Sequence, residues 1–459
     1  MGLNTKRHIS TKTGNIRLNI KYAILQIMFW TCAASAYAYL TQMLQYKGFT
    51  EGQIGVINAV KLFSTVVFQV MIGALADRYA ERIQLKYIIS VLTAMALVLT
   101  FVFYEYKLSF VQTVVLFIGF GATFTCISPL IDSLSIKYMN GGRNINYPIC
   151  RAAGSCAWAV ACVLFGMFCD IYDANRLLLL QMMFTAMMLV AALFMEDISP
   201  GRTGETVAVH TSLGNADKIG PDQAIPEKTD ENRTEYTQLY NPERQVPVIK
   251  EVHTTGYLLT RYPKYRWFLI GSAVMFMGYN VGTTFLINVF ERLGGSNFHY
   301  GAAEFIMAMS EVPSAFLLIK FRKRISLDKI MLCCAVFMTF KNMFAAFSDN
   351  VWVIVISQSC EMLGFGLFYS GSVYLIEEML SPADVVKGMS LINAFTVGAG
   401  EGIGALLCGW INSRYGLTVL MNSSVAISAV SIVCILIMCF VANEMTSDKK
   451  DQSADRVIK

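Results

Sequence analysis

Residues 109–136 read SFVQTVVLFIGFGATFTCISPLIDSLSI, and residues 147–169 read YPICRAAGSCAWAVACVLFGMFC. Each stretch contains one charged side chain, Asp132 in the first and Arg151 in the second. An apolar run of about 20 residues is long enough to cross a bilayer as an α-helix. A charge at the centre of such a helix costs about 3 kcal/mol on insertion scales. We therefore expect Asp132 and Arg151 either to pair with each other or to bind the polar groups of a ligand.

The same pattern extends along most of the chain. Of the 459 residues, 55% are hydrophobic and 15% are charged, whereas soluble domains are about 25% charged. Lipid leaves exposed backbone groups without hydrogen-bond partners, so these runs are expected to be helices. The sequence predicts an all-α membrane protein with twelve transmembrane helices in two six-helix halves. The predicted spans are 20–45, 52–76, 87–105, 109–136, 147–169 and 177–195, followed by 267–290, 301–319, 328–347, 351–375, 388–411 and 416–442.

A polar stretch separates the sixth and seventh predicted spans. It is rich in Gly, Pro, Thr, Asp, Glu and Lys and has no sustained periodicity, which is typical of a disordered linker. Lys and Arg accumulate on the cytoplasmic side of a membrane. If both termini are inside, 29 of the 37 Lys and Arg residues fall in cytoplasmic segments and five in outside loops. The other three lie within spans. The predicted order is a cytoplasmic N-terminus (1–19), a six-helix bundle (20–196), a cytoplasmic linker (197–266), a second bundle (267–442) and a cytoplasmic tail (443–459).

The N-terminus has features of a signal peptide, with basic residues, an apolar run and the sequence Ala36-Tyr37-Ala38. Apolar residues continue to about Tyr46, however, and complete a full span, so we expect a retained helix. The prediction is a multi-pass protein of the cell membrane, embedded in lipid, with both termini in the cytoplasm.

Composition and motifs argue against several functional classes. The net charge of +5 is modest and no dense basic stripe is present, so nucleic acid is not an expected partner. Most of the twelve cysteines lie in apolar runs without a CxxC motif, which favours small buried apolar residues over disulfides or a metal site. The glycine-rich segment 398–404 lies inside a span, so it is not a phosphate loop. Because no Walker, Ser-His-Asp or HExxH pattern occurs, we expect neither an enzyme nor a cofactor.

Several ionisable side chains lie inside the predicted spans, where polar residues indicate function by default. The formal charges of these residues sum to +1 in the first half and to −2 in the second half. Clustered carboxylates in a poorly hydrated cavity cannot all stay ionised, so at least one glutamate is expected to bind and release a proton. Fixed structural pairs and snorkelling to the interface are the alternatives. The seven residues are Lys61, Asp132, Arg151, Glu311, Lys341, Glu361 and Glu401.

Trp158 follows Arg151 by seven residues, which places both on one face of a helix, two turns apart. The indole is suited to stacking on the apolar face of a sugar or base while the guanidinium donates two hydrogen bonds. Packing at an interface is the alternative role for Trp158. Tyr37 on the first span, and Tyr279 with Asn280 on the seventh, are expected to add hydrogen bonds from opposing helices.

The segment Gly73-Ala74-Leu75-Ala76-Asp77-Arg78, followed by Arg82, lies between the second and third spans. It resembles the loop signature of the major facilitator superfamily, in which the Asp and the basic residues latch cytoplasmic helix ends. Position 80 is Ala where the signature favours Gly. The resemblance implies the major facilitator fold and assigns a conformational latch to Gly73, Asp77, Arg78 and Arg82.

The chain is also similar to the lactose permease group of sugar–proton symporters. The segment 129–132 resembles that group's helix-four sequence, which ends in a sugar-binding acid. The segment 151–158 resembles its helix-five sequence, which supplies a sugar-binding Arg and a stacking Trp. The similarity further implies that Glu311 is the sugar-contacting acid of helix eight and that Tyr37 is the helix-one tyrosine. Lys341 falls where helix nine carries an Arg.

Departures from that group concern the proton path. Its His and Glu on helix ten are replaced by Glu361 without a His. Its acid and base on helices seven and eleven become Asn280 or Thr283 and Val397, and Glu401 is an addition. The proton path is therefore expected to differ, and the solute is not transferable. Nucleoside–proton symporters and uncharacterised relatives of the same broad group are also compatible with the sequence.

We therefore expect a monomeric secondary active transporter that takes up a small polar solute, a sugar, oligosaccharide or nucleoside, with a proton through alternating access. The proton gradient is the expected energy source. The alternatives are a drug or metabolite exporter of the same fold, working as a proton antiporter, and a membrane receptor or scaffold that does not transport. The expected solute-binding residues are Asp132, Arg151, Trp158, Glu311, Tyr37 and Asn280, and the expected proton-coupling residues are Glu361, Glu311, Glu401 and Lys341.

Overall fold

The structure, a computed structural model, describes residues 2–80, 82–197, 254–382 and 384–441. In these residues the regular secondary structure is entirely helical. Most of the predicted linker and all of the predicted tail lie outside the described residues. The end of the linker region forms a short helix, Thr255–Arg261, whose first turn is capped by the Thr254 side chain.

Two helices of the N-terminal half begin at capping signals in the sequence. Thr50 with Gln53, and Ser109 with Gln112, form reciprocal capping boxes that satisfy the free N–H groups of a first turn. The helix that contains the first span begins before the predicted span, at Gly2, and is broken by a π-helical turn. The helices are Gly2–Ala33, the π-helical Ala34–Ala38 and Leu40–Tyr46 in the first span, then Glu51–Arg78, Leu85–Glu105, Phe110–Asn140, Tyr147–Ile171 and Leu177–Leu193.

The helices of the C-terminal half are interrupted more often. The seventh span is Pro263–Thr283 with Leu286–Arg292, and the eighth is Asn297–Glu311 with Ser314–Phe321. The ninth is Leu327–Phe347. The tenth is Val351–Ser357 and Phe365–Met379, joined through a 3-10 segment, Gln358–Met362. The last helices are Val385–Asn393, a π-helical Ala394–Gly402, and Ile403–Phe440.

Twelve membrane crossings are consistent with these helices. Nine helices in the described residues are long and apolar enough to cross a bilayer, or ten if the bent first span is included. The continuous segment Val385–Phe440 has 56 residues, although about 20 suffice for one crossing. Gly416 breaks it, because its φ of 81° lies in the left-handed region that glycine adopts readily. The eighth span, divided at Pro313, supplies the remaining crossing.

The two halves meet at the end of the bundle where the first span finishes at Tyr46 and the second begins at Glu51, called here the distal end. Gly55 of the second span crosses Gly409 of the eleventh so closely that a Cβ on Gly55 would lie 2.7 Å from the Gly409 Cα. Hydrogen bonds also join the halves there, including Thr41 Oγ1 to Thr284 O at 2.8 Å. Toward the opposite end, a Cβ on Gly73 would meet nothing within 4 Å. The halves are thus closed at the distal end.

Candidate functional site

Asp132 lies on the fourth span and accepts a hydrogen bond from a buried amide of the first span. The Gln26 Nε2 atom is 3.2 Å from Asp132 Oδ1 and 3.0 Å from the Tyr22 hydroxyl oxygen. Gln26 is only 1% exposed, so its amide orientation is fixed by these partners. This contact positions the Asp132 carboxylate in the interior of the N-terminal half.

Arg151 lies on the fifth span and stacks on an aromatic ring. Its guanidinium carbon is 4.2 Å from the centroid of the Trp30 ring, a distance typical of a cation–π contact. Its NH1 also donates to Ser155 Oγ at 3.0 Å. The Trp30 Nε1 in turn donates to Gln26 Oε1 at 3.0 Å. The two predicted charges therefore do not form a direct ion pair in this structure.

Gln26 and Trp30 instead connect these two charges. They are four residues apart on the first span, which places them on one helix face. Gln26 binds Asp132 through its Nε2 and Trp30 through its Oε1, and Trp30 carries Arg151 on its ring. Each charge is thus held in place while part of its hydrogen-bonding capacity stays available.

Trp158 adds a second indole to this arrangement. Its ring packs edge-to-face on Trp30, with centroids 6.0 Å apart, and lies 6.3 Å from the Tyr37 ring. Gly154 leaves room for the Trp30 ring, because a Cβ there would stand 2.5 Å from Trp30 Cδ1. The predicted residues Tyr37, Arg151 and Trp158 are therefore brought together around Trp30.

The C-terminal half contains a buried ion pair between Lys341 of the ninth span and Glu361 of the tenth. The two side chains are 3% and 0% exposed. The Lys341 Nζ also lies 4.6 Å from the Tyr279 ring centroid and 3.7 Å from Met307 Sδ. Among the described residues, Glu361 Oε2 has no hydrogen-bond partner. Burial makes this pair sensitive to the loss of either charge.

Two further carboxylates of the C-terminal half face cations of the N-terminal half. Glu311 on the eighth span interacts electrostatically with Arg151. Glu401 on the eleventh span does so with Lys61, whose Nζ lies 5.2 Å from the Tyr37 ring centroid. Both glutamates are partly exposed and neither forms an ion pair with its cation. Complementary charges thus face each other between the halves.

The remaining predicted residues lie apart from this cluster. Asn280 Oδ1 accepts a hydrogen bond from Thr284 Oγ1 at 3.1 Å, at the break in the seventh span. This oxygen therefore bonds within its own span. Among the predicted latch residues, Asp77, Arg78 and Arg82 are exposed at the end of the second span. Within the described part of the chain they form no ion pair.

Three residues of the site were not predicted. Glu304 lies inside the eighth span, is 8% exposed, and makes a fourth glutamate in this half. The rule that identified the other intramembrane charges applies equally to it. Gln26 and Trp30 carry no charge, and their spacing alone resembles that of ordinary packing residues.

Comparison with known proteins agrees with this architecture. The model of the MFS_1-like family matches residues 19–421. The solved structure of the nucleoside transporter NupG is similar with a TM-score of 0.71 at 14% identity, covering 93% of this chain and 100% of that one. A solved mutant form of NupG has a TM-score of 0.72 at 14% identity, with 92% and 99% covered.

A bacterial homologue of the human lysosomal transporter Spinster, solved in an inward-facing and unoccupied conformation, has a TM-score of 0.62 at 13% identity. The similarity covers 92% of this chain and 96% of that one. A search of curated sequences gives no significant match. At these identities the solved structures establish the fold alone, whereas the family model spans most of the sequence. The chain therefore belongs to the MFS_1-like family, and it is a multi-pass membrane protein with the fold of the major facilitator superfamily.

Proposed function

We propose that this protein is a proton symporter that takes up a small polar solute, a sugar, oligosaccharide or nucleoside, by alternating access. In this proposal it works as a monomer in the cell membrane with both termini in the cytoplasm, and the proton gradient supplies the energy. The observation that carries the proposal is the series of contacts from Asp132 through Gln26 and Trp30 to Arg151.

These contacts suit a solute that combines hydroxyl groups with a flat or apolar face. The Asp132 carboxylate accepts hydrogen bonds, and the Arg151 guanidinium donates them in a planar fork. The indoles of Trp30 and Trp158 provide stacking surfaces beside these groups. Glu311, which faces Arg151 from the other half, completes the proposed site. Solute bound there would contact both halves, so its affinity would depend on the distance between them.

The surplus of carboxylates in the C-terminal half supports proton coupling. This half has four intramembrane glutamates (304, 311, 361 and 401) and one lysine, Lys341. Even with Lys61 and Arg151 of the other half counted, the five intramembrane carboxylates, including Asp132, outnumber the three cations, so bound protons are needed to neutralise the surplus. We assign the leading role to Glu361, because its Oε2 is buried without a hydrogen-bond partner beside Lys341.

Gradient-driven uptake tests this proposal. Purified protein in proteoliposomes is assayed with radiolabelled uridine, lactose and a wider panel of sugars and nucleosides under an imposed pH gradient. Accumulation is expected for one solute class, and Glu361→Gln is expected to keep solute exchange but lose accumulation. A Trp410→Phe variant serves as a control, since Trp410 is 55% exposed on the outer surface. Accumulation that persists in Glu361→Gln would remove this residue from the coupling role.

The two alternative functions give different results in the same system. An exporter would confer drug resistance on cells and would expel solute against the gradient. A receptor or scaffold would bind a solute tightly without any flux. The charged and aromatic lining formed by Asp132, Arg151 and Trp30 favours uptake of a hydroxyl-rich solute over export of a large apolar one.

A further inference from the structure

Lys61 of the second span is a buried cation that lies on the face of an aromatic ring. The residue is inside the helix Glu51–Arg78 and is 6% exposed. Its Nζ lies 5.2 Å from the centroid of the Tyr37 ring, and among the described residues it forms neither a hydrogen bond nor an ion pair. Burying an ammonium without an acceptor is costly. An intramembrane cation of this kind is therefore expected to bind a ligand.

The backbone of Lys61 is fixed against the fourth span. Gly121 of that span lies so close that a Cβ there would stand 2.5 Å from Lys61 O. Ser64 and Thr65 donate to the same oxygen at 2.8 and 2.7 Å, and Thr65 Oγ1 lies 2.8 Å from Thr125 Oγ1 of the fourth span. Residues three and four positions apart share a helix face. The Lys61 side chain therefore extends from a well-packed turn along the interior face of the second span.

Lys61 stands at one end of a row of side chains that has Arg151 at the other end. Arg151 lies on the Trp30 ring and Lys61 on the Tyr37 ring. Both rings belong to the first span, and Trp158 packs against both, with centroid distances of 6.0 and 6.3 Å. The seven residues from Trp30 to Tyr37 correspond to about 10 Å along a helix. A solute stacked on Trp158 would thus have a cation on either side.

The two ends of this row differ in their hydrogen-bonding chemistry. At the Arg151 end, Gln26 positions the Asp132 carboxylate, so this end offers donors and acceptors together. At the other end the N-terminal half contributes the Lys61 ammonium, which has three N–H donors and no acceptor. Hydroxyl groups, which both donate and accept, suit the first end. An oxygen that carries no proton, such as a ring carbonyl, suits the second.

We propose that Lys61 is a solute-binding residue that donates to a carbonyl oxygen on a flat ring of the solute, and that this solute is a nucleoside rather than a sugar. The inference rests on the proposed function, because it specifies the solute of the same site. A base stacks well on aromatic side chains, and its ribose hydroxyls would bind Asp132 and Arg151. An anionic solute is disfavoured, because the intramembrane carboxylates already outnumber the cations.

Equilibrium binding to the purified full-length protein in detergent tests the proposal. The three ligands are uridine, lactose and ribofuranosylbenzene, which keeps the ribose and a flat six-membered ring but has no carbonyl. Apparent affinities follow from the dependence of the thermal midpoint on ligand concentration. The wild type is expected to bind uridine about tenfold or more tightly than ribofuranosylbenzene, the effect of one hydrogen bond to a charged donor. Lactose is expected to bind more weakly than uridine.

Variants of Lys61 show whether this residue causes the preference. Lys61→Met has a side chain of similar length without donors, so its affinities for uridine and ribofuranosylbenzene are expected to become nearly equal. Lys61→Arg keeps a cationic donor and is expected to retain most of the preference. Loss of the charge that faces Glu401 would change both affinities alike, whereas loss of the hydrogen bond changes their ratio.

Lys86 provides the matched control. It is 7% exposed on the third span, and its Nζ donates to Met195 O at 3.0 Å, away from the row of aromatic rings. Lys86→Met therefore removes an equally buried ammonium, and it is expected to keep the wild-type ratio of the two affinities even where the thermal midpoint falls. If Lys61→Met does not fold, Lys61→Gln takes its place, and its neutral amide donor is expected to give an intermediate ratio.

A wild-type ratio in Lys61→Met or Lys61→Gln would overturn the proposal. Equal affinities for uridine and ribofuranosylbenzene in the wild type, or tighter binding of lactose than of uridine, would do the same. The measurement involves no gradient. A ratio that depends on Lys61 without gradient-driven uptake would reject the proposed symport and leave Lys61 as a binding residue. Uptake with an unchanged ratio would reject the role of Lys61 and leave the symport.

Discussion

Arg151 rests on the face of Trp30, with 4.2 Å between the guanidinium carbon and the ring centroid. The indole N–H of Trp30 is fixed by Gln26, so the ring has a defined orientation. An aromatic face attracts the cation without occupying all of its N–H donors. This arrangement holds Arg151 in place while leaving donors for a solute, which a direct ion pair with Asp132 would have consumed.

Trp30→Leu is expected to weaken solute binding and, because the buried Gln26 Oε1 loses its donor, also to lower the thermal midpoint. A cation–π contact contributes about 0.5–2 kcal/mol, so the apparent affinity in uptake assays should fall between about twofold and thirtyfold. Trp410→Leu is the control, because its side chain is exposed at the surface. Equal uptake kinetics for the two variants would show that Trp30 does not position Arg151.

The Lys341–Glu361 pair gives a test of stability. Removing one partner of a buried ion pair costs about 3–5 kcal/mol, because an uncompensated charge remains. Lys341→Met is therefore expected to lower the thermal midpoint, and adding Glu361→Gln is expected to restore most of it. Thermal unfolding of both single variants and the double variant in detergent measures this coupling.

The partly exposed pair of Lys264 and Asp328 is the matched comparison. Its charged atoms are 2.6 Å apart, but the side chains are 14% and 23% exposed. Solvent screening should reduce its coupling to about 0–1 kcal/mol. Additive effects of Lys341→Met and Glu361→Gln on the thermal midpoint would contradict energetic coupling within the buried pair.

The features that could be predicted from the sequence are those determined by neighbouring residues in the chain. Apolar run length and the capping residues at Thr50 and Ser109 account for the spans and several of their ends. The family signature and the intramembrane charges are likewise short patterns that the sequence alone displays. Glu304 could also have been predicted from the sequence, since it lies inside the same predicted span as Glu311.

Other features depend on contacts between distant residues. Asp132 binds Gln26, which is 106 residues away in the chain, and no pattern in either span distinguishes this partner from Arg151. The π-helical turns and the 3-10 segment around Glu361 likewise depend on the neighbouring helices. Residue type alone predicted one uninterrupted span at each of these places.

Gly416 is expected to be required for its backbone conformation. Its φ of 81° and ψ of 173° lie in a region that essentially only glycine adopts, which costs a residue with a Cβ about 1–3 kcal/mol, although a Cβ there would meet nothing within 4 Å. Gly416→Ala and Gly416→Asn should therefore both lower the thermal midpoint, because Asn tolerates the left-handed helical region but not a ψ of 173°. Gly73→Ala, in equally open space but in a regular helix, should be neutral or stabilising. A destabilised Gly73→Ala beside an unchanged Gly416→Ala would contradict the break between the last two spans.

Gly55 is expected to control closure of the distal end by steric contact. A Cβ there would lie 2.6 Å from Ala405 O and 2.7 Å from Gly409 Cα, and these backbone atoms cannot rotate away as a flexible side chain would. Gly55→Ala should therefore separate the second and eleventh spans and reduce hydrogen-exchange protection in residues 405–415. Gly52→Ala is the control, because its Cβ would meet only the Ser413 side chain at 3.5 Å, an ordinary contact. Equal protection in the two variants would show that the crossing at Gly55 and Gly409 does not limit closure. Reduced protection in Gly55→Ala alone would make this crossing a steric limit on closure of the distal end.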